Sequence, residues 1–342
     1  MFIPNKEDEK NKLEKPGVDS YYLYGWEQSY FTRKLEAALI FYGADFQLRP
    51  KTLENRREVQ LRSGTHQVPV LHTPENWMIA DTTPIIRMLD DRFPGRAQFP
   101  DGELGVLVHL IEEYFDEWIA RTSVHWRWNY PENYELLSMS AADGDPEIAA
   151  QIVNWGVRVC RATGVSSEIQ QQEAENEYHR IMEAAEAQLQ ETNYLLGDRP
   201  TAADAIFLGG LRAHFNFDPA PRKAVHDRYP VTIAWCEQGA DQWDGSGELA
   251  PFPESTPFAQ FMLKEMESTY QRFALSNRNA LLNKQKAFVI NVYGEEVSYL
   301  ARPYIEQSRQ MIVKRVQELP DRHKEKVTAW LEANGLLDLI QE

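Results

Sequence analysis

A short aromatic strand that runs straight into a helix constrains this chain more than any other feature. Tyr21-Tyr22-Leu23-Tyr24 is rich in strand-favouring residues and ends at Gly25-Trp26. Helical spacing then begins, with Phe31, Leu35, Ala38, Leu39 and Tyr42 on one face and Gly43 closing the run. The junction places Ser29 at the helix N-terminus, where free backbone amides and the helix dipole favour an anion. A second segment complements it. Gln67-Val68-Pro69-Val70-Leu71, His72-Thr73, Trp77-Met78-Ile79-Ala80 and Asp81-Thr82 read as strand, turn, strand and helix cap, ahead of a helix carrying Ile85, Ile86 and Leu89. Proline inside a strand-like run is normally excluded from central strands, so Pro69 signals a special backbone role. A cis Val68-Pro69 bond would turn the Val68 amide and carbonyl outward, where an extended peptide can pair with them as an added strand. Asp81 is placed to cap the following helix, with Thr82 in its first turn.

These residues resemble a known family. Residues 20–95 look like the N-terminal domain of a cytosolic glutathione transferase, whose fold is thioredoxin-like α/β. Ser29-Tyr30-Phe31 resembles the Ser-Pro-Phe and Cys-Pro-Phe motifs of the serine-type and omega-type classes, with Tyr30 in place of proline, and Asp81-Thr82 resembles their Glu-Ser pair. Downstream, Gly197-Asp198-Arg199-Pro200-Thr201-Ala202-Ala203-Asp204 is similar to the capping-box segment of the family's all-helical C-terminal domain. The stretches His125 to Asn133, Ala213-His214, Asp218-Pro219 and Ala234-Trp235 resemble a bacterial subgroup with long C-terminal extensions.

The resemblance implies glutathione as co-substrate; no metal is expected. Ser29 would hydrogen-bond its thiolate, with Tyr24 as second choice and Tyr30 as third. Gln67, Val68 and Pro69 would meet the cysteinyl backbone. Asp81 and Thr82 would hold the γ-glutamyl end. Arg33 is a nearby cation for an anionic ligand, together with Lys34 and Arg56-Arg57. The family's habit of pairing subunits implies a homodimer.

The magnitudes are adequate. A thiol has a pKa of about 8.5, and lowering it by about two units takes roughly 2.7 kcal/mol. A helix end supplies at most about 2 kcal/mol and a hydroxyl donated to a charged acceptor roughly 1.5–3 kcal/mol, so the two together suffice. Serine at position 29 also restricts the chemistry. Disulfide exchange proceeds through a protein thiolate, which serine cannot supply. Conjugation, reductive ether cleavage, dehalogenation or isomerisation by activated glutathione is favoured instead, acting on a small apolar or aromatic electrophile. The alternative is a non-catalytic module that keeps the fold for binding or assembly.

The 342 residues divide into a polar arm at 1–19, a glutathione-binding domain at 20–94, a turn-rich linker at 95–103, a helical domain at 104–249 and an extension at 250–342. Leu104, Leu107, Val108, Ile111, Tyr114, Phe115 and Trp118 predict one long helix, and Tyr178 to Leu189 and Thr201 to Leu208 predict others. In the extension, Phe258 to Phe273 reads as one helix, Ala287 to Leu300 as a hairpin turning at Gly294-Glu295, and the remainder as two helices broken at Pro320 and closed by Gly335. Its expected role is to cover the substrate cleft or to pad the subunit against a partner, padding being preferred.

Tyr114, Trp118, Trp126 and Arg127 are candidates for a co-substrate pocket, with core packing as the competing role for the aromatics. Asp204, three residues after Thr201, reads as half of a structural capping box. The net charge of −16 argues against nucleic acid and anionic membranes. The N-terminus lacks the apolar stretch of a signal peptide and no apolar run reaches membrane-spanning length, so a cytoplasmic protein is expected. Eight histidines show no metal-binding spacing, and Cys160 and Cys236 are expected to be buried small hydrophobes.

Overall fold

In the computed structural model, which describes residues 13–142 and 144–341, the N-terminal part is built on a four-stranded sheet of order β2-β1-β3-β4. β1 (Ser20–Gly25) crosses through α1 (Tyr30–Tyr42) to β2 (Asp45–Pro50), its parallel neighbour. After α2 (Arg56–Ser63), β3 (Val70–His72) runs antiparallel to β1, and β4 (Met78–Ala80) antiparallel to β3, ahead of α3 (Thr82–Arg92). Strand alternation sorts the aromatics. Tyr21 and Leu23 enter the main core with the buried faces of α1 and α3, while Tyr22 and Tyr24 join Val59, Val70 and Met78 on the α2 side.

Most of the expected arm, residues 1–12, lies outside the described residues. From Leu13 the chain is tied down: Leu13 packs on the Tyr22 and Tyr24 cluster, and its amide donates to Glu58 Oε2 at 2.9 Å.

The helical part begins with α4 (Gly102–Tyr114), which starts inside the segment expected to be linker. The single long helix expected there is interrupted by a π turn at Phe115–Ile119 before α5 (Ala120–Asn129). Then come α6 (Pro131–Ala141), α7 (Pro146–Ala162), α8 (Glu168–Leu189), α9 (Ala202–Gly210), a second π turn at Leu211–Phe215, α10 (Pro219–Val225), α11 (Pro230–Ala234) and a third π turn at Trp235–Gly239. Thr201 and Asp204 form a reciprocal capping box at the start of α9. Cys160 and Cys236 are buried and free.

The extension continues the core. Its first stretch is two helices, α12 (Pro257–Ser268) and α13 (Tyr270–Leu282), where one was expected. The break is at Thr269, with φ −124° and ψ −79°, whose hydroxyl bonds the Glu265 carbonyl at 2.6 Å and lies 3.0 Å from the Tyr114 hydroxyl. β5 (Ala287–Val292) and β6 (Glu295–Leu300) form the hairpin, turning at Tyr293-Gly294, one residue earlier than expected. Both turn residues have positive φ, 53° and 80°, as a two-residue turn that matches strand twist requires. α14 (Pro303–Gln317) and α15 (Asp321–Ala333) follow. α9, α12, α14 and α15 all pack against α4, and every residue from Gly105 to Tyr114 is buried. The extension is therefore a wall of the protein interior. Among the described residues, no helix is long and apolar enough to cross a membrane.

One close approach sets the distance between the two halves. A Cβ on Gly209 of α9 would lie 2.7 Å from the Tyr30 carbonyl oxygen and 3.0 Å from the Lys34 amide on α1. Gly209→Ala should therefore push the helices apart and lower stability by about 1–3 kcal/mol, as overpacking does. Chemical unfolding of the variant checks this; an unchanged midpoint would show that the contact yields freely.

Candidate active site

The strand register gathers the three key segments. Tyr24 is paired with Val70 and Val70 with Ala80, so Gly25, Pro69 and Asp81 leave the sheet at the same end. At the first exit a glycine is required, because a Cβ on Gly25 would stand 2.3 Å from Thr32 Oγ1. The turn that follows is stapled at several points. The Ser29 amide donates to the Trp26 carbonyl at 3.0 Å, Arg33 Nε to the Glu27 carbonyl at 3.1 Å, and Arg127 Nη1 to the Gln28 carbonyl at 2.6 Å.

Ser29 is half-buried and N-caps α1, its Oγ accepting from the Thr32 amide at 3.3 Å. That bond uses an oxygen lone pair and leaves the hydroxyl proton free to donate. Tyr24, the rival donor, is sealed at 1% exposure and stacked near His72. Burial pushes its hydroxyl's pKa up. Tyr30 turns inward toward the helical part, with its ring centroid 6.0 Å from that of His214. Burial, then Asp116 and Glu112, hold its pKa well above the phenol range, so it is a proton donor and not a base.

At the second exit the Val68-Pro69 bond is cis. Val68 is half-buried and Gln67 exposed, and neither the amide nor the carbonyl of Val68 is hydrogen-bonded among the described residues. Lys51 fixes the approach by donating to the carbonyls of His66 at 2.7 Å and Gln67 at 3.1 Å. At the third exit Asp81 precedes α3 with φ 77° and ψ 115°, a conformation that non-glycine residues adopt only under constraint, while Thr82 is buried.

The expected cations are arranged otherwise. Arg33 pairs with Glu36 and lies 3.6 Å from Glu27, and Arg56 and Arg57 are exposed. Lys34 is fully buried, with its ammonium bonded to Glu112, 3.3 Å from Asp116 and 3.3 Å from the Thr83 hydroxyl. Burial opposes its charge, but Asp116 and Glu112 outweigh burial and raise its pKa. Burial also pushes the carboxyls of Asp116 and Glu113 well above the usual range. Glu112, Glu113 and Asp116 each bring one oxygen into a group spanning less than 4.8 Å, and the Lys34 ammonium is the cation that two of them hold. Sequence reasoning missed this cluster. Its signal was a group of acids, Glu112, Glu113, Asp116 and Glu117, inside the apolar helical pattern from Leu104 to Trp118, together with a lysine next to Leu35 on the helix that follows Ser29.

The proposed co-substrate wall is not open to ligand. Tyr114 is fully buried, Trp118 donates through Nε1 to Glu177 at 2.7 Å, and Trp126 stacks on Tyr130 at 4.8 Å. Arg127 holds Asp218 with Nε at 2.9 Å and Nη2 at 3.1 Å, and also donates to the Ala213 carbonyl. These side chains are core, because buried polar partners claim each polar tip except the Trp126 indole nitrogen.

Family comparison agrees with this layout. Residues 23–97 match the model of the glutathione S-transferase N-terminal domain, and residues 148–241 match that of the C-terminal domain. The chain belongs to the glutathione S-transferase superfamily. Its two domains are the family's thioredoxin-like and helical domains, and the extension lies outside both matches. By class the protein is a glutathione S-transferase. Solved structures similar in fold include a glutathione S-transferase from Rhodospirillum rubrum F11, at 17% identity over 71% of this chain and 91% of that one, with a TM-score of 0.44. The β-etherase LigF from Sphingobium sp. strain SYK-6 is 16% identical over 72% of this chain and 99% of its own, with a TM-score of 0.48. A glutathione S-transferase from Methylobacterium radiotolerans in complex with glutathione sulfonate is 16% identical over 66% and 92%, with a TM-score of 0.42. No curated protein sequence matches this one.

Proposed function

We propose that the protein activates glutathione through Ser29 and delivers its thiolate to a small apolar or aromatic electrophile. The observation that carries this reading is the Ser29 cap: the oxygen is engaged by the Thr32 amide while the hydroxyl proton is left for a ligand at the end of α1. The open amide and carbonyl of Val68 fit the cysteinyl backbone of an extended tripeptide, and Asp81 with Thr82 stand where its γ-glutamyl end would reach. The thiol proton passes to solvent, and the Ser29 hydroxyl and the helix end hold the thiolate. Sulfur then bonds to the electrophilic carbon as the leaving group departs with its electron pair, as in conjugation, ether cleavage or dehalogenation. A co-substrate has to be sought around the Ser29 turn, since Tyr114, Trp118, Trp126 and Arg127 are committed to the core.

Ultraviolet titration of bound glutathione tests the reading. The thiolate should form well below the free thiol's value of about 8.5, and Ser29→Ala should raise its pKa by about 1–2 units. Tyr24→Phe should leave it unchanged; an effect confined to that variant would transfer the role to Tyr24. No saturable glutathione signal would instead favour a binding or assembly module.

A further inference from the structure

α7 presents an apolar ridge to solvent. Ile148, Ile152, Trp155 and Val159 follow one another at intervals of four, three and four residues, the spacing of neighbours on one helix face. The line beside them, Ala149, Gly156 and Cys160, is buried against the protein. Ile152 and Val159 are half-buried at its border, whereas Ile148 is 46% exposed and Trp155 53%. The ridge is rigidly mounted. A Cβ on Gly156 would stand 2.1 Å from the Trp128 ring on α5, so the two helices are in close contact, and Trp155 packs edge-on against the same indole with centroids 5.5 Å apart. A tryptophan fixed in this way, with half its surface in water, loses little freedom when a partner covers it.

We infer that α7 is the interface of a homodimer: two copies pair antiparallel along Ile148, Ile152, Trp155 and Val159, and two Glu147–Arg158 ion pairs close one edge. The charges of the helix identify the occupant. Glu147 near its start and Arg158 near its end are both exposed and lie about three turns apart at 3.6 residues per turn, so they stand on the same flank of the ridge. Arg158 Nε turns back only as far as the Asn154 carbonyl of its own helix, at 3.4 Å. When two identical helices pair antiparallel about a twofold axis, equal flanks meet with their ends reversed. Glu147 then faces the partner's Arg158, and Arg158 faces the partner's Glu147. A parallel pairing would set like charge against like. The surroundings favour the same occupant: a net charge of −16 drives copies of the chain apart, yet α7 carries one glutamate against two arginines, Arg158 and Arg161, so acidic molecules can meet on this face. With 17 residues the helix is about 25 Å long, which makes the contact small and places the expected association in the micromolar range. This gives the pairing of subunits a definite surface, and it does not depend on the glutathione reading.

Sedimentation equilibrium of the full chain, at concentrations on either side of about 10 μM, is the test. The native protein should pass from monomer to dimer. Glu147→Arg and Arg158→Glu should each weaken the dimer by on the order of tenfold, because each sets like charges opposite one another twice. Combining the two substitutions in one chain should restore native association, and so should an equimolar mixture of the two single variants. Both positions are exposed, so these variants should keep the native circular dichroism spectrum and unfolding midpoint. Ile148→Lys, also at an exposed position, should abolish the dimer by placing charge on the ridge itself. A chain that stays monomeric throughout would overturn the inference. So would a dimer that the three single substitutions leave intact, which would lie on another face, and so would failure of both the combined variant and the mixture to recover association.

Discussion

Replacing Lys34 by methionine should lower the unfolding free energy by about 3–5 kcal/mol, the usual cost of stripping one partner from a buried ion pair. The ammonium is fully buried and serves Glu112, Asp116 and the Thr83 hydroxyl at once. Methionine fills the space but leaves two carboxylates without a counter-charge. Their relief is to take up protons, which gives the prediction a pH signature. An acid whose folded pKa is raised above its unfolded value costs stability at high pH, and the cost shrinks as pH falls through the folded value. The deficit of Lys34→Met should therefore be largest near neutrality and narrow toward pH 5. Urea unfolding followed by tryptophan fluorescence measures it, and a deficit under about 1 kcal/mol at pH 7 would show that water or a bound cation already serves the carboxylates.

Arg127→Met is expected to be comparably severe, again about 3–5 kcal/mol, and to reach the active site as well. Arg127 is 6% exposed, and its guanidinium bonds Asp218 through two nitrogens and ties the Ala213 and Gln28 carbonyls together. Losing it strands Asp218 and frees the turn that ends at Ser29. The pKa of bound glutathione should rise toward the free-thiol value even where the variant is still folded. Arg127→Lys separates the two effects. It retains a charge for Asp218 but not the planar fork that reaches three partners, so stability should recover more than the thiol pKa does. A variant with native thiol pKa and reduced stability would mean that the turn holds itself.

The arginine also shows where sequence reasoning stopped. Read beside Trp126, Arg127 suggested a co-substrate pocket; its true partners, Gln28 and Asp218, are far away in the chain and no local pattern announces them. Tyr114 and Trp118 raised the same difficulty, since an aromatic stripe reads alike whether it faces a pocket or, as here, Glu177, Thr269 and the extension. Local geometry was far more legible. Strand alternation at Tyr21 to Tyr24, the helix closed by Gly43, the proline at position 69 and the capping box at Thr201 each follow from neighbours within a few residues. The hairpin of the extension was visible for the same reason.

Some helices were missed. α6 buries only Asn133 and Ser138 and shows no apolar stripe, whereas α7 carries Ile148, Ile152, Trp155 and Val159 at i, i+4, i+7 and i+11, a helical pattern that the sequence reading passed over. The π turns at Phe115–Ile119 and Leu211–Phe215 shift the register of otherwise regular helices, and spacing counted at 3.6 residues per turn runs through them unnoticed. Both carry residues close to the Tyr30 side of the site, Asp116 and His214.

The walls around α4 also set an order of events. The helix is synthesised by residue 114, but its last wall, α15, is complete only at residue 333. At about 5–20 residues per second, its apolar surface waits on the order of 10–40 s on the ribosome before the covering helices exist. Residues made about two hundred positions later thus close the interior begun at α4. A premature stop anywhere in the extension would release a protein with both family domains written in full and a central helix laid open to aggregation.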